Sequence, residues 1–296
     1  MLRALKNTII YHVSMGAVTL LGLLPTRFAP LAARAVGQLA HLLARHERRL
    51  ARRHLEMALD SSKSNTRAEL LTRGVFLQLA KSAVELCRLR NAPHKSPCVR
   101  CSNRSRQAFD HALEKNRGVI FVTGHIGNWE LLAHALSQMG YPVSTVAKES
   151  YDPRFTRQID RFRQRSGVQV IYRGRPGAPA AMLRALKEGR AIGFLIDQDT
   201  RVPSAFVPFF GRPASTPVGP AELAVRTGAA VVVGTIHRTP RGTHVIDIEP
   251  CPIPSNVKQA TAMMTARLEE RIRRHPTQWV WFHQRWRTRP SKRVAA

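Results

Sequence analysis

The stretch "GHIGNWE", residues 124–130, sets a histidine between two glycines and follows it with a glutamate five residues later. A histidine backed by a carboxylate is the base half of a catalytic triad: the carboxylate fixes the tautomer and supports the imidazolium. No serine or cysteine stands beside His125 to serve as nucleophile. The base would therefore activate a group that is brought in, most simply a substrate hydroxyl. A hydroxyl attacking an activated acyl group is acyl transfer, and the resulting oxyanion needs backbone N–H donors or a cation. His125 and Glu130 are accordingly the candidate catalytic residues. Asn128 is a candidate substrate contact and also a suitable helix cap.

The elements that must position these residues are legible around them. "GVIFVT" (118–123) is a short apolar run typical of a buried strand, and the histidine follows its carboxyl end, where open α/β sheets hold their ligands. Gly124 and Gly127 would let a substrate approach the backbone. A helix starting near Gly127 or Asn128 would carry Glu130 in its first turn, where the helix dipole favours a carboxylate. Further strands are expected at 143–147, 168–172, 191–196, 230–236 and 244–249. Helices are expected near 128–139, 153–165, 177–188, 218–228 and 257–274, with no internal repeat. The alternation predicts an α/β fold with a mostly parallel central sheet flanked by helices. "FVPFF" (206–210) reads as core or as part of an acyl channel, and Gly211 and Thr216 as turn and cap residues.

Three regions are expected along the 296 residues. Residues 1–30 contain an apolar run from Ile9 to Leu24, ended by Pro25 and Pro30. At 16 residues it is shorter than the roughly 20 of a spanning helix, which predicts a shallow anchor or an in-plane, membrane-associated helix. A cleaved signal peptide, with Ala33 to Ala35 as its site, is the rival; the basic flank after the run serves export poorly. Residues 31–103 form a basic helical lead-in, with one helix over 31–60 carrying "RHERRLARRH" and an amphipathic helix over 66–90. Residues 104–296 form the α/β core with a Trp-rich C-terminal segment.

Forty-seven Lys and Arg against 19 Asp and Glu give a formal net charge of +28, which draws the chain to polyanions. Four cysteines are too few for a disulfide scaffold in a chain of this length. Cys98 and Cys101 form a lone C-x-x-C near His94 and Cys87; ordinary thiols in a reduced compartment are the better reading than zinc or redox chemistry. His111, His134, His237 and His244 read as surface or core histidines.

More of the chain bears on "GHIGNWE". It resembles the H-x(4)-[DE] motif of membrane acyltransferases, in the version of the lipid A late acyltransferase (lauroyl/myristoyl acyltransferase) family, within the lysophospholipid acyltransferase-like superfamily. "FLIDQDT", "VPFFGRPASTPVGPAELAVRTGAAVV" and "HPTQWVWFHQRWRTRP" are similar to further blocks of that family, in the right order, from about residue 45 to 290. The resemblance implies an enzyme on the cytoplasmic face of the inner membrane. It would move an acyl chain from acyl carrier protein, or acyl-CoA, to a hydroxyl of a phosphorylated glycolipid such as a lipid A precursor. It implies His125 as general base with Glu130 as its partner, and no metal or other cofactor. Lys148 stands where many members carry arginine and offers only a point charge. Arg165 is the implied phosphate or oxyanion ligand, and Asp197 and Asp199 are implied to shape the site by hydrogen bonding. Trp279, Trp281 and Trp286 would line an acyl tunnel, pack the core or sit in an interfacial belt. Acyl carrier protein, anionic inner-membrane lipid and the acceptor would each account for the positive charge.

Two other readings stand beside this one. Glycerophospholipid acyltransferases share the H-x(4)-[DE] logic but usually carry aspartate at the fifth position and lack the Trp-rich tail. A non-enzymatic basic protein binding nucleic acid or membrane predicts exposed aromatics among the basic residues and no pocket. Aromatics at 6% and the lack of a nucleic-acid motif argue against nucleic acid as partner.

Overall fold

A computed structural model describes residues 2–59, 65–91 and 96–290. His94 and most of the loop around it lie outside the described residues. The chain opens with four helices: α1 (Leu2–Leu23), α2 (Ala29–Leu43), α3 (Arg45–Ala58) and α4 (Asn65–Asn91). A short strand, β1 (Val99–Cys101), and a helix, α5 (Asn103–Leu113), lead into the alternating part. There β2 (Val119–Thr123), α6 (Trp129–Gln138), β3 (Val143–Ala147), α7 (Pro153–Arg165), β4 (Gln169–Tyr172), α8 (Ala178–Lys187) and β5 (Ala191–Leu195) follow in turn. A hairpin of β6 (Ser204–Phe209) and β7 (Arg212–Pro217) comes next. The rest is α9 (Gly219–Thr227), β8 (Ala230–Arg238), β9 (His244–Pro250), α10 (Val257–Arg274) and a tail opening with a 3-10 turn at Pro276–Gln278.

Seven strands form one sheet in the order β1-β9-β8-β2-β5-β3-β4. All neighbours are parallel except β8 and β9. The expected mostly parallel sheet is present. β1 joins it from residues assigned to the helical lead-in, pairing Val99 with His244.

Burial explains why β2 sits at the centre. Each of its five residues, Val119 to Thr123, is buried. Ile120 and Val122 pack on one face with Ile192, Val231, Met264, Trp279 and Trp281. Val119 and Phe121 pack on the other with Phe109, Leu131, Leu132 and Val232. A strand covered on both faces needs apolar residues at successive positions rather than alternate ones, and "VIFVT" supplies them.

Three local expectations are corrected. The helix expected over 31–60 is two helices, because Ala44 leaves the helical region (φ −82°, ψ 62°). Pro30, expected to end the first helix, instead sits in the first turn of α2, where its missing N–H costs nothing. Thr216 does not cap the next helix: it lies in β7, and the cap position of α9 is Val218. The positive φ at Gly211 does set a turn, that of the β6–β7 hairpin.

Among the described residues no single helix is long and apolar enough to cross a membrane. Residues Leu5–Leu23 and Thr26–Leu43 pass by length and composition only as a pair, bent by 115°. Leu20, Leu31, Leu39, Leu42 and Leu43 on these helices are exposed.

Candidate active site

The site lies at the carboxyl ends of β2 and β5. β2 ends at Thr123, and the chain turns through Gly124 and His125 into α6. β5 ends at Leu195, which places Asp197 beside the turn. The backbone N–H of His125 donates to Asp197 Oδ2 at 2.6 Å, and His125 Nδ1 lies 2.8 Å from Asp197 Oδ1. Trp279 Nε1–H donates to the same Oδ2 at 2.7 Å.

Burial alone would raise the Asp197 pKa. The charge of His125 and the hydrogen bonds from His125 and Trp279 outweigh it and hold the carboxyl down at about 2. Asp197 is therefore an acceptor throughout the neutral range, and His125 Nδ1 carries the shared proton. Nε2 has no protein partner among the described residues. The ring is 21% exposed and lines an open cleft.

The carboxylate behind the histidine is thus Asp197 and not Glu130, which corrects the pairing expected from the motif spacing. Glu130 sits in the first turn of α6, as expected, but accepts two hydrogen bonds from Arg163: Nε to Oε2 at 3.0 Å and Nη2 to Oε1 at 2.6 Å. This bidentate pair lines the same cleft as His125. Arg165, the arginine expected to bind phosphate or oxyanion, is exposed at the end of α7 and does not line the cleft; Arg163 does. Lys148 also lines it, joined by Arg173.

The cleft has a volume of about 450 Å³ and mixes these charges with an apolar wall of Val146, Phe194 and Ile196. Trp129 stands edge-on to His125, with ring centroids 4.9 Å apart. On the far side of Trp129 a smaller apolar pocket continues between α6 and the sheet, lined by Phe109, Phe121, Leu132 and Leu136.

Asn128 caps α6 as expected, but neither it nor Asp199 reaches the substrate side of the site. Asn128 is buried and faces protein: Oδ1 accepts from Leu131 N at 3.3 Å, capping α6, and Nδ2 donates to Glu85 Oε2 at 3.0 Å. Asp199 is also buried. Its carboxylate accepts from Thr288 N and Oγ1, and its own N–H donates to His283 Nε2, so it anchors the tail of the chain. Neither residue lines the cleft.

The two glycines serve packing rather than substrate approach. A Cβ on Gly124 would stand 2.9 Å from Asp197 Oδ2, and one on Gly127 2.0 Å from the Ile236 carbonyl oxygen. The tryptophans Trp279 and Trp281 are buried in an aromatic cluster with Phe209 and Phe210, so they belong to the core and not to a belt at an interface. Among the described residues no group of His, Cys, Asp or Glu could hold a metal ion. Cys98 and Cys101 are free thiols on and beside the β1 edge.

This geometry meets an independent finding. Residues 1–288 match the family described as bacterial lipid A biosynthesis acyltransferase. The chain belongs to that family. It is 27% identical over 272 residues to the lipid A biosynthesis palmitoleoyltransferase of Escherichia coli (strain K12), a match covering 86% of this chain and 83% of that protein. It is 28% identical over 182 residues to the phosphatidylinositol mannoside acyltransferase of Mycobacterium tuberculosis (strain CDC 1551 / Oshkosh), covering 60% of this chain and 57% of that protein. A shorter match, 34% over 116 residues, joins it to the lipid A biosynthesis lauroyltransferase of Escherichia coli (strain K12), covering 37% of this chain and 38% of that protein.

Proposed function

We propose that the chain transfers a fatty acyl group from a thioester, carried on acyl carrier protein or coenzyme A, to a hydroxyl of a lipid A precursor or related glycolipid. The observation that carries this reading is the His125–Asp197 pair on the wall of an open cleft. Nε2 of His125 takes the proton of the acceptor hydroxyl as its oxygen attacks the thioester carbonyl carbon. The tetrahedral intermediate collapses as the carbon–sulfur bond breaks, and the imidazolium returns the proton to the departing thiolate. Asp197 holds the tautomer and supports the positive ring while it exists.

Lys148, Arg163 and Arg173 bring positive charge to the cleft, which suits a developing oxyanion and a phosphorylated acceptor. Glu130 fixes the Arg163 guanidinium, so its contribution to turnover runs through that cation. Relatives named for lipid A and for a phosphatidylinositol mannoside share a sugar-bearing lipid acceptor, which favours a glycolipid over a simple glycerophospholipid. The cleft and the family also argue against a purely binding role. The exposed leucines of α1 and α2 and the +28 charge suit attachment to anionic lipid on the cytoplasmic face of the inner membrane.

The test is lipid mass spectrometry of membranes incubated with the purified protein and a medium-chain acyl-CoA or acyl carrier protein thioester. A glycolipid heavier by one acyl group is expected, and His125→Ala, still folded, should yield none. Product formed at the normal rate by His125→Ala would end this reading.

A further inference from the structure

Behind the site, out of the cleft, lies a buried polar cluster that the chemistry above does not use. Gln78, Ser82 and Glu85 stand on one face of α4, at the four- and three-residue spacing that aligns side chains on a helix. All three accept hydrogen bonds from Arg238 at the end of β8. Arg238 reaches Glu85 through Nε at 3.1 Å and Nη2 at 2.6 Å, Ser82 at 3.2 Å, and Gln78 through Nη1. Glu85 Oε2 also faces His244 Nε2 at 3.1 Å and accepts from Asn128 Nδ2 at 3.0 Å. Arg238 is 6% exposed, His244 0% and Asn128 2%, while the Glu85 side chain is 21% exposed, so the carboxylate is held mostly, though not wholly, away from water.

Two arms lead from this cluster to the two halves of the site. The first is Asn128, which caps α6 and closes the turn that carries His125. The second runs through Arg238, whose backbone N–H donates to Gln278 Oε1 at 2.7 Å and whose carbonyl accepts from Gln278 Nε2 at 2.8 Å. The Gln278 carbonyl in turn accepts from Gly127 N at 2.7 Å. The next residue, Trp279, bridges Ile126 and donates to Asp197. One carboxylate on a helix outside the sheet is thus linked through Asn128 to the His125 turn, and through Arg238, Gln278 and Trp279 to Asp197.

Stability is a poor reason for such a cluster. Burying charges is costly, and well-packed apolar residues often serve as well or better. What a buried, directional network supplies is a single geometry, and here the geometry it fixes is that of the His125 turn. We propose that Glu85 is a positioning residue for His125: its carboxylate, through Asn128 and through Arg238 and Gln278, sets the turn that holds the imidazole against Asp197. The consequence for turnover rests on the acyl-transfer reading given above; the positioning itself does not.

Glu85→Gln keeps the size of the side chain and removes the charge. One readout needs no substrate. Trp129 touches the His125 ring, and a protonated imidazole quenches a neighbouring indole. The acid quenching of Trp129, taken as the difference between each protein and its Trp129→Phe partner, therefore reports their contact. The second readout is kcat and KM for the acyl thioester. In folded Glu85→Gln, most of the Trp129 quenching should be lost, and kcat should fall about 10- to 100-fold with KM within about threefold, the cost of a small misplacement of a catalytic group. Wild-type quenching in a folded variant overturns the proposal, whatever happens to kcat. Quenching lost with kcat intact upholds the positioning and instead removes His125 as the base. Should Glu85→Gln fail to fold, Asn128→Ser retains a capping oxygen while cutting the first arm, and the same two readouts decide.

Discussion

At the scale of single residues, the proposed chemistry depends on which nitrogen of His125 is committed. Nδ1 belongs to Asp197, so the tautomer is set before any substrate arrives. Asp197→Asn would keep the shape but reverse the preference, because an amide can donate to Nδ1 and leave the proton on Nε2. That change should lower kcat by about 10³- to 10⁴-fold with KM little altered, as for other carboxylate-to-amide changes behind a catalytic histidine. Single-turnover kinetics of a folded variant would measure it. His125 itself was legible, because a histidine in a glycine-flanked turn after a buried strand has few structural uses. Its carboxylate was not. Asp197 lies 72 residues away in sequence, and the acidic residue in view, Glu130, is turned by the first helical turn toward Arg163. The substitution of Arg163 for Arg165 has a similar origin. Two residues along an α-helix rotate the side chain by about 200°, so a helix phase left unread exchanges a cleft residue for an exposed one.

At the scale of elements, the strands rich in β-branched and aromatic residues were legible, and the weaker ones were not. β1 is three residues long, and β6 and β7 carry Pro208, Pro213 and Pro217, which weaken a strand signal although a two-stranded edge tolerates them. The break at Ala44 has no Gly or Pro to announce it. The junction of β2, β8 and α6 makes a sharper statement. Gly127 has φ +62°, and an added Cβ would overlap the Ile236 carbonyl oxygen. Gly127→Ala should therefore cost about 2–4 kcal/mol, combining the left-handed backbone penalty with displacement of the turn from β8. Denaturant titration against Gly174→Ala checks this. Gly174 also has positive φ but open space around it, so that substitution should cost only about 1 kcal/mol.

At the scale of the whole molecule, a buried carboxylate, Asp197, and a partly buried one, Glu85, make the fold sensitive to acid. For Glu85, burial would raise the pKa, but His244 and Arg238 hold it at about 2; Asp197 is likewise at about 2. Both values lie below those of the unfolded chain. Their contribution is fully present above the ordinary carboxylate range and is lost as pH falls from about 4 toward about 2, on the order of 2–3 kcal/mol for each group. Thermal melts should be flat in this contribution from pH 7 to 5 and drop steeply below 4. The proposed lipid contact makes a different prediction. Vesicles of anionic phospholipid should bind the protein through charge and through the exposed leucines of α1 and α2. Leu39→Ser with Leu42→Ser should weaken binding about 10²-fold in co-sedimentation, at about 1.5 kcal/mol or more for each leucine withdrawn from lipid. The expected regional boundaries also look different at this scale. α4 and β1 precede residue 104, yet the first supplies Glu85 and the second an edge of the sheet.

The tail from Pro276 to Thr288 has a consequence for how the protein is made. Trp279, Gln278 and Arg285 are buried within the fold, and Trp279 touches the carboxylate on which the imidazole depends. A ribosome delivers this segment only after every strand has been synthesised. Until it docks, Asp197 lacks its indole donor and the turn at Gly127 lacks its acceptor. A nascent chain with its sheet already assembled would therefore remain catalytically silent, and a frameshift upstream of Pro276 would release an inert scaffold rather than a partly active enzyme.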